Sequence, residues 1–174
     1  MKRSLLTSPL TLYFCIASLC LLPQCSKEGK APSSVAAPDF ALRTLNGQEI
    51  RLSDLRGRVV LLDFWATWCA PCREAIPHLI SLQKNYREKG LEVIGMNVDK
   101  GDVETVRRFV TSMDIPYPIA LTSEEVSRKY GVSALPTTIL IDKEGKIRQK
   151  FLGFTSEISK QITSTIVELT QEKS

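Results

Sequence analysis

Cys69 and Cys72 stand two residues apart in the stretch DFWATWCAPCREAIPHL, residues 63–79. Two thiols at that spacing can share a metal, close a permanent staple, or carry out both halves of a thiol–disulfide exchange. A structural zinc site takes four side chains, yet there is no second CxxC pair, and His78 is the only histidine. A copper-type site would need a distant histidine to complete it. A staple across so short a loop removes little chain entropy. Exchange chemistry is therefore favoured, with a metal-binding or metallochaperone module kept as the alternative from another functional class.

The elements around the pair decide how it would work. RVVLLDFW, residues 58–65, is a β-rich apolar run suited to a buried central strand. From Cys72 to about Lys89 the pattern is helical, with Ile76, Leu79, Ile80 and Tyr86 toward the core and a kink expected at Pro77. The cysteines thus sit at a strand-to-helix junction. Backbone N–H groups and the helix dipole favour a negative sulfur there, which lowers the pKa of Cys69. Pro71 suits the first helical turn, since it needs no N–H partner. Cys72 lies one turn deeper and is expected to be less exposed. On this reading Cys69 attacks a partner's disulfide, and Cys72 then resolves the mixed disulfide.

Further along, LEVIGMNVD reads as a second buried strand. Asp102 caps a helix with the stripe Val103, Val106, Phe109, Val110 and Met113. Residues 117–121 form a short strand and 123–130 a short helix. Strands follow at 136–142 and 146–153, and Ile158, Ile162, Ile166 and Leu169 line a last helix. Upstream, Asn46-Gly47 marks a hairpin, and Ser53 is placed to cap a short turn. Alternating strands and helices with a closing hairpin predict an α/β fold, a central mixed sheet flanked by helices.

The ends bound the setting. The chain has 174 residues, enough for one well-buried core, and a net charge of +4 with signs interspersed, so no basic stripe points to nucleic acid. Lys2 and Arg3 precede an almost uncharged, apolar stretch from Leu5 to Leu22, which predicts an export signal over 1–25. An uncleaved membrane anchor is the competing reading. LLPQCS resembles a bacterial lipoprotein signal with Cys25 as the lipidated residue, although Gln24 replaces the small residue usual before it. Residues 26–37 read as a flexible tether and 38–174 as the folded domain. Of the five cysteines, Cys15 and Cys20 fall in the signal and Cys25 at its edge. Only Cys69 and Cys72 remain in the fold, and an exported protein sits where disulfides persist.

DFWATWCAPC resembles the active site of the thioredoxin superfamily, and ALPTT, residues 134–138, resembles its second landmark, a proline facing the cysteines. The N-terminal hairpin, the α/β segment at about 102–122 and the export signal resemble the membrane-tethered TlpA- and ResA-like branch, related to AhpC/TSA redoxins. The resemblance implies a thioredoxin-like fold with an N-terminal β-hairpin and an internal α/β insertion, and a cis bond before Pro136. It also implies a substrate surface around Trp68, Ala70, Pro71 and the backbone of Leu135. No organic cofactor is implied, only the redox-active Cys69–Cys72 disulfide. The implied partners are exported proteins with disulfides, apocytochrome c among them, and an integral-membrane thiol donor. Members of the branch usually carry a glutamate three residues after the second cysteine. Here that position is Ala75, with Glu74 turned away by about 100°. Asp63 is then the candidate proton carrier, with a pKa raised by desolvation. Where thioredoxins place a lysine beside that aspartate, this chain has Gly95. A peroxiredoxin-like peroxidase is the enzymatic alternative, but its Pro-x-x-x-Thr/Ser-x-x-Cys pattern is absent. Trp65 reads as core and Trp68 as an exposed docking residue. His78, Arg73 and Glu74 read as surface residues.

Overall fold

The structure is a computed structural model and describes residues 35–172. The expected export signal, the Cys25 lipidation site and most of the tether lie outside the described residues. The tether is expected to run to residue 37, but Val35 and Ala36 already form a strand. β1 (Val35–Ala36) pairs antiparallel with Ile147 and Lys146, and the N–H of Ala37 donates to the carbonyl of Gly145 at 2.9 Å. The hairpin follows as β2 (Ala41–Arg43) and β3 (Glu49–Arg51), and its turn glycine, Gly47, has φ +83°, a conformation that costs glycine little. Ser53 does not cap the 3-10 turn Leu52–Leu55, because Arg51 holds the cap position without a side-chain bond. Asp39 serves instead. Its carboxylate accepts from the N–H groups of Phe40 and Ser53, each at 3.0 Å.

β4 (Val59–Trp65) is buried along its whole length, as a strand covered on both faces must be. α1 (Ala70–Tyr86) continues through Pro77 as one element and passes through a 3-10 turn into β5 (Leu91–Asn97). α2 (Val103–Ser112) is capped by Asp102, whose side chain accepts from the N–H of Glu104 at 3.1 Å. Its stripe is shallower than expected. Val106 is buried and Phe109 half-buried, but Val103 is exposed. β6 (Ile119–Leu121), α3 (Glu124–Lys129), β7 (Thr137–Ile141), β8 (Lys146–Leu152) and α4 (Ser156–Gln171) complete the chain.

The six-stranded sheet has the order β1-β8-β7-β4-β5-β6. β4, β5 and β6 run parallel, while β7, β8 and β1 join antiparallel, so the sheet is mixed as the sequence predicts. Alternation along β4 divides the core. Val59, Leu61 and Trp65 face Leu79 and Leu82 of α1 and Ile162 and Ile166 of α4, whereas Val60, Leu62 and Phe64 face Val126 of α3 and Phe40. The insertion supplies α2 and the edge strand β6, so it extends the core.

Gly95 sits opposite Asp63 in the β4–β5 register. A Cβ there would lie 2.4 Å from Ile119 Cδ1 and 3.0 Å from Trp65 Nε1. Gly95→Ala therefore overpacks the sheet and is expected to cost about 1–3 kcal/mol. Urea unfolding of the oxidised protein checks this, and an unchanged midpoint counts against the packing described.

Candidate active site

The carboxyl ends of the parallel strands are where an open α/β sheet builds its sites. β4 ends at Trp65, three residues bridge to the helix, and Cys69 takes the N-cap position of α1 with φ −85° and ψ 105°. Its Sγ accepts from the N–H of Cys72 at 3.3 Å, as an N-cap side chain does for the third helical residue. Pro71 falls in the first turn, where its missing donor is harmless. The two sulfurs are joined as a disulfide. Cys69 is 5% exposed and Cys72 0%, so the sequence ordering of the two thiols holds, although Cys69 is more enclosed than an open surface thiol. Once the bond is reduced, a thiolate at position 69 meets the same N–H and the positive end of the helix dipole.

Facing the pair is the loop before β7. The Leu135–Pro136 peptide bond is cis. Thr137 Oγ1 donates to the carbonyl of Ala134 at 2.7 Å, and the N–H of Gly153 donates to the carbonyl of Pro136 at 2.8 Å. Leu135 is half-buried, and no hydrogen bond among the described residues uses its N–H or C=O. Both loops open on a cleft of about 980 Å³, with Trp68, Cys69, Ala70 and Pro71 on one wall and Ala134 and Leu135 on the other. Trp68 is 70% exposed at the rim. Trp65 instead packs inside, 5.4 Å from the ring of Phe109. An extended chain can therefore meet free backbone groups, an aromatic face and the Cys69 sulfur together.

Asp63 lies on the face of β4 that packs against α1, and it is 1% exposed. Burial pushes its pKa from an ordinary 3.8 up to about 7, and only partly does the hydrogen bond that Thr138 Oγ1 donates to Oδ1 at 3.5 Å oppose this. Oδ2 has no partner among the described residues. The space that would take a cation is filled around Gly95 by Ile119, Trp65 and Tyr117. Burial, and secondarily the negative charge of Asp63, pushes the Tyr117 hydroxyl well above its ordinary range. Ala75 is buried in α1 and Glu74 points to solvent, so no glutamate of that helix replaces Asp63.

The remaining candidates lie apart. Arg73 is exposed. His78 is half-buried against α4, with Nε2 3.5 Å from Thr163 Oγ1 and its ring 5.9 Å from Phe154, and burial lowers its pKa. Among the described residues no cluster of three or more His, Cys, Asp or Glu side chains is assembled that could hold a metal. Sequence reasoning missed a polar clamp beside the cysteines. Asp99 accepts from the N–H and the hydroxyl of Thr67, both at 2.9 Å, and from Asn97 Nδ2 at 2.7 Å. Trp65 and Asn97 are register partners at the ends of β4 and β5, so Thr67 and Asp99 each stand two residues past the paired strands. Only the strand register brings them together.

Residues 34–150 match the AhpC/TSA family. The thiol-disulfide oxidoreductase ResA of Bacillus cereus is 41% identical over 129 residues, 74% of each chain. Among solved structures, a Chlorobium tepidum protein assigned as a DsbE thiol:disulfide interchange protein superposes with TM-score 0.74 at 34% identity, covering 79% of this chain and 96% of its own. A secreted thiol-disulfide isomerase from Corynebacterium glutamicum gives TM-score 0.71 at 29% identity, covering 84% and 96%.

The buried carboxyl has a consequence for stability. Its folded pKa lies above its unfolded one, so its stabilising contribution is full below about pH 4 and is lost as the pH rises to about 7. The gap between 3.8 and about 7 corresponds to roughly 4 kcal/mol. Oxidised Asp63→Asn should therefore be more stable than wild type at pH 8, with the difference closing toward pH 4. Urea unfolding at a series of pH values measures this, and a pH-independent difference contradicts it.

Proposed function

We propose, from the premise that this chain belongs to the AhpC/TSA family and is a ResA/TlpA-like thiol–disulfide oxidoreductase of thioredoxin fold, that Cys69 attacks and Cys72 resolves in the reduction of exported proteins. The Cys69 thiolate attacks one sulfur of a substrate disulfide. A mixed disulfide forms, and the released substrate thiolate takes a proton from water. Cys72 then gives its proton to Asp63, and its thiolate attacks Cys69 Sγ. This restores the Cys69–Cys72 disulfide and frees the second substrate sulfur. Two electrons pass from the dithiol to the substrate. The observation that carries the reading is the Cys69 sulfur on the N–H of Cys72 at the helix start, beside the cleft.

Trp68, Ala70 and Pro71 offer the substrate an apolar face, and the N–H and C=O of Leu135 beside Pro136 offer a short backbone pairing. In this proposal the dithiol itself holds the electrons, with no organic cofactor. The leader 1–25, with Cys25 lipidated or the leader retained as an anchor, tethers the domain on the outer side of a bacterial membrane. An integral-membrane thiol carrier re-reduces it there. Apocytochrome c, whose haem-binding cysteines must be reduced, is the proposed substrate within that setting. The AhpC/TSA match favours peroxide reduction as the second reading. Stoichiometric peroxide turnover by the purified dithiol, without reduction of any protein disulfide, would replace the first reading with it.

Cys72→Ser should capture substrates as mixed disulfides on Cys69, while Cys69→Ser should capture none. Capture by Cys69→Ser instead reverses the two roles. Asp63→Asn should flatten the pH dependence of the resolving step near pH 7 in stopped-flow measurements. An unaltered profile removes Asp63 from the proton path.

A further inference from the structure

The loop that presents Cys69 is held from the neighbouring strand by one carboxylate. Asp99 follows β5, and its Oδ2 takes the Thr67 N–H at 2.9 Å and Asn97 Nδ2 at 2.7 Å. Its Oδ1 takes the Thr67 hydroxyl at 2.9 Å. Asn97 is itself anchored. It is buried, its carbonyl accepts from the N–H of Thr122 at 2.9 Å, and its Oδ1 accepts from the N–H of Asp99 at 3.3 Å. One residue away, the N–H of Val98 donates to the carbonyl of Trp65 at 3.0 Å. The loop 66–68 is thus tied to the chain just past β5 at its entry, Trp65, and at its middle, Thr67.

We propose that Asp99 is a positioning residue for the exchange reaction: by clamping Thr67 to the end of β5, it keeps the Cys69 sulfur on the N-terminus of α1 and at the mouth of the cleft. This rests on the exchange chemistry proposed above. Thr67 is two residues from Cys69, so a loop freed at Thr67 lets the sulfur leave the N–H of Cys72 and the thiolate lose its stabilisation. A bare negative charge beside a thiolate disfavours it, so the carboxylate acts here by geometry, with its charge spread over three donors. The other charged groups lining the cleft are Lys100, paired with Glu124 of α3 at 2.5 Å, and Arg128 of α3, while Arg73 of α1 is exposed. The loop 132–135 contributes none.

Two substitutions separate geometry from charge. Asparagine at 99 can keep all three bonds. Its amide oxygen accepts from Thr67 N–H and Asn97, and its amide nitrogen donates to the Thr67 hydroxyl, which then acts as acceptor. Alanine keeps none. With the reduced full-length protein, iodoacetamide alkylation of Cys69 at pH 7 should slow about tenfold in Asp99→Ala, while Asp99→Asn stays within about twofold of wild type. The pH midpoint of alkylation should rise in Asp99→Ala only. Wild-type reactivity in Asp99→Ala overturns the proposal, as does an equal loss in Asp99→Asn. If Asp99→Ala does not fold, Thr67 decides: Thr67→Val should slow alkylation several-fold and Thr67→Ser should restore it, and no difference between them overturns the clamp. Alkylation needs no substrate, so a wild-type protein that reduces no protein disulfide strikes the proposed function and leaves this comparison intact.

Discussion

A sulfur held at the start of a helix is the interaction on which this molecule turns. Thiolate chemistry near neutral pH needs stabilisation of the anion, and among the described residues a cysteine meets it where α1 begins. The rest of the architecture can be read as keeping that place rigid. β4 is buried throughout and points the chain at the site. The Cys72 N–H meets the sulfur at 3.3 Å. The loop between strand and helix is only three residues long, and a carboxylate two residues past β5 grips its middle. A site assembled on rigid elements needs little rearrangement when a substrate arrives.

Asp63 and, once the disulfide is reduced, the Cys69 thiol stand in surroundings that favour opposite charge states. The open end of a helix favours the charged form of the thiol, while burial favours the neutral form of the carboxyl. Separation of this kind lets one fold supply a nucleophile and a proton acceptor at the same pH. The sulfur at 69 reaches the cleft. The one at 72 is fully enclosed on the face of the sheet that carries Asp63.

Much of this was legible in the sequence, for identifiable reasons. β4 is uniformly apolar apart from Asp63, so both its burial and its anomaly can be read directly. Asn46-Gly47 names its own turn, and the last helix shows a stripe of Ile162, Ile166 and Leu169, all buried. The CxxC pair and the proline at 136 carry their meaning in their spacing. Three of the misses share a cause, since each depends on a partner distant in sequence. Ser53 was assigned the cap, but Asp39, fourteen residues earlier, satisfies its N–H. Val35 and Ala36 look like tether until β8 is there to pair with them. Thr67 and Asp99 are separated by 32 residues and meet only because β4 and β5 run parallel in one register.

Gly95 links the packing to the chemistry. It is the register partner of Asp63, so any side chain there would lie beside the carboxyl. Ile119, Trp65 and Tyr117 already occupy that space, which leaves glycine as the residue that fits and keeps any cation from being delivered from β5. Asp63 therefore has Thr138 as its sole hydrogen-bond partner among the described residues, with Oδ2 unpaired. A buried carboxyl in that condition destabilises the fold once it ionises, and replacing it with a neutral residue would relieve the cost. Buried Gln83 and Asn97 spend their side chains on bonds that hold backbone and loop in place, whereas Asp63 makes a single bond of 3.5 Å. Its position on the α1 face of the central strand is the one that the proposed transfer of the Cys72 proton requires.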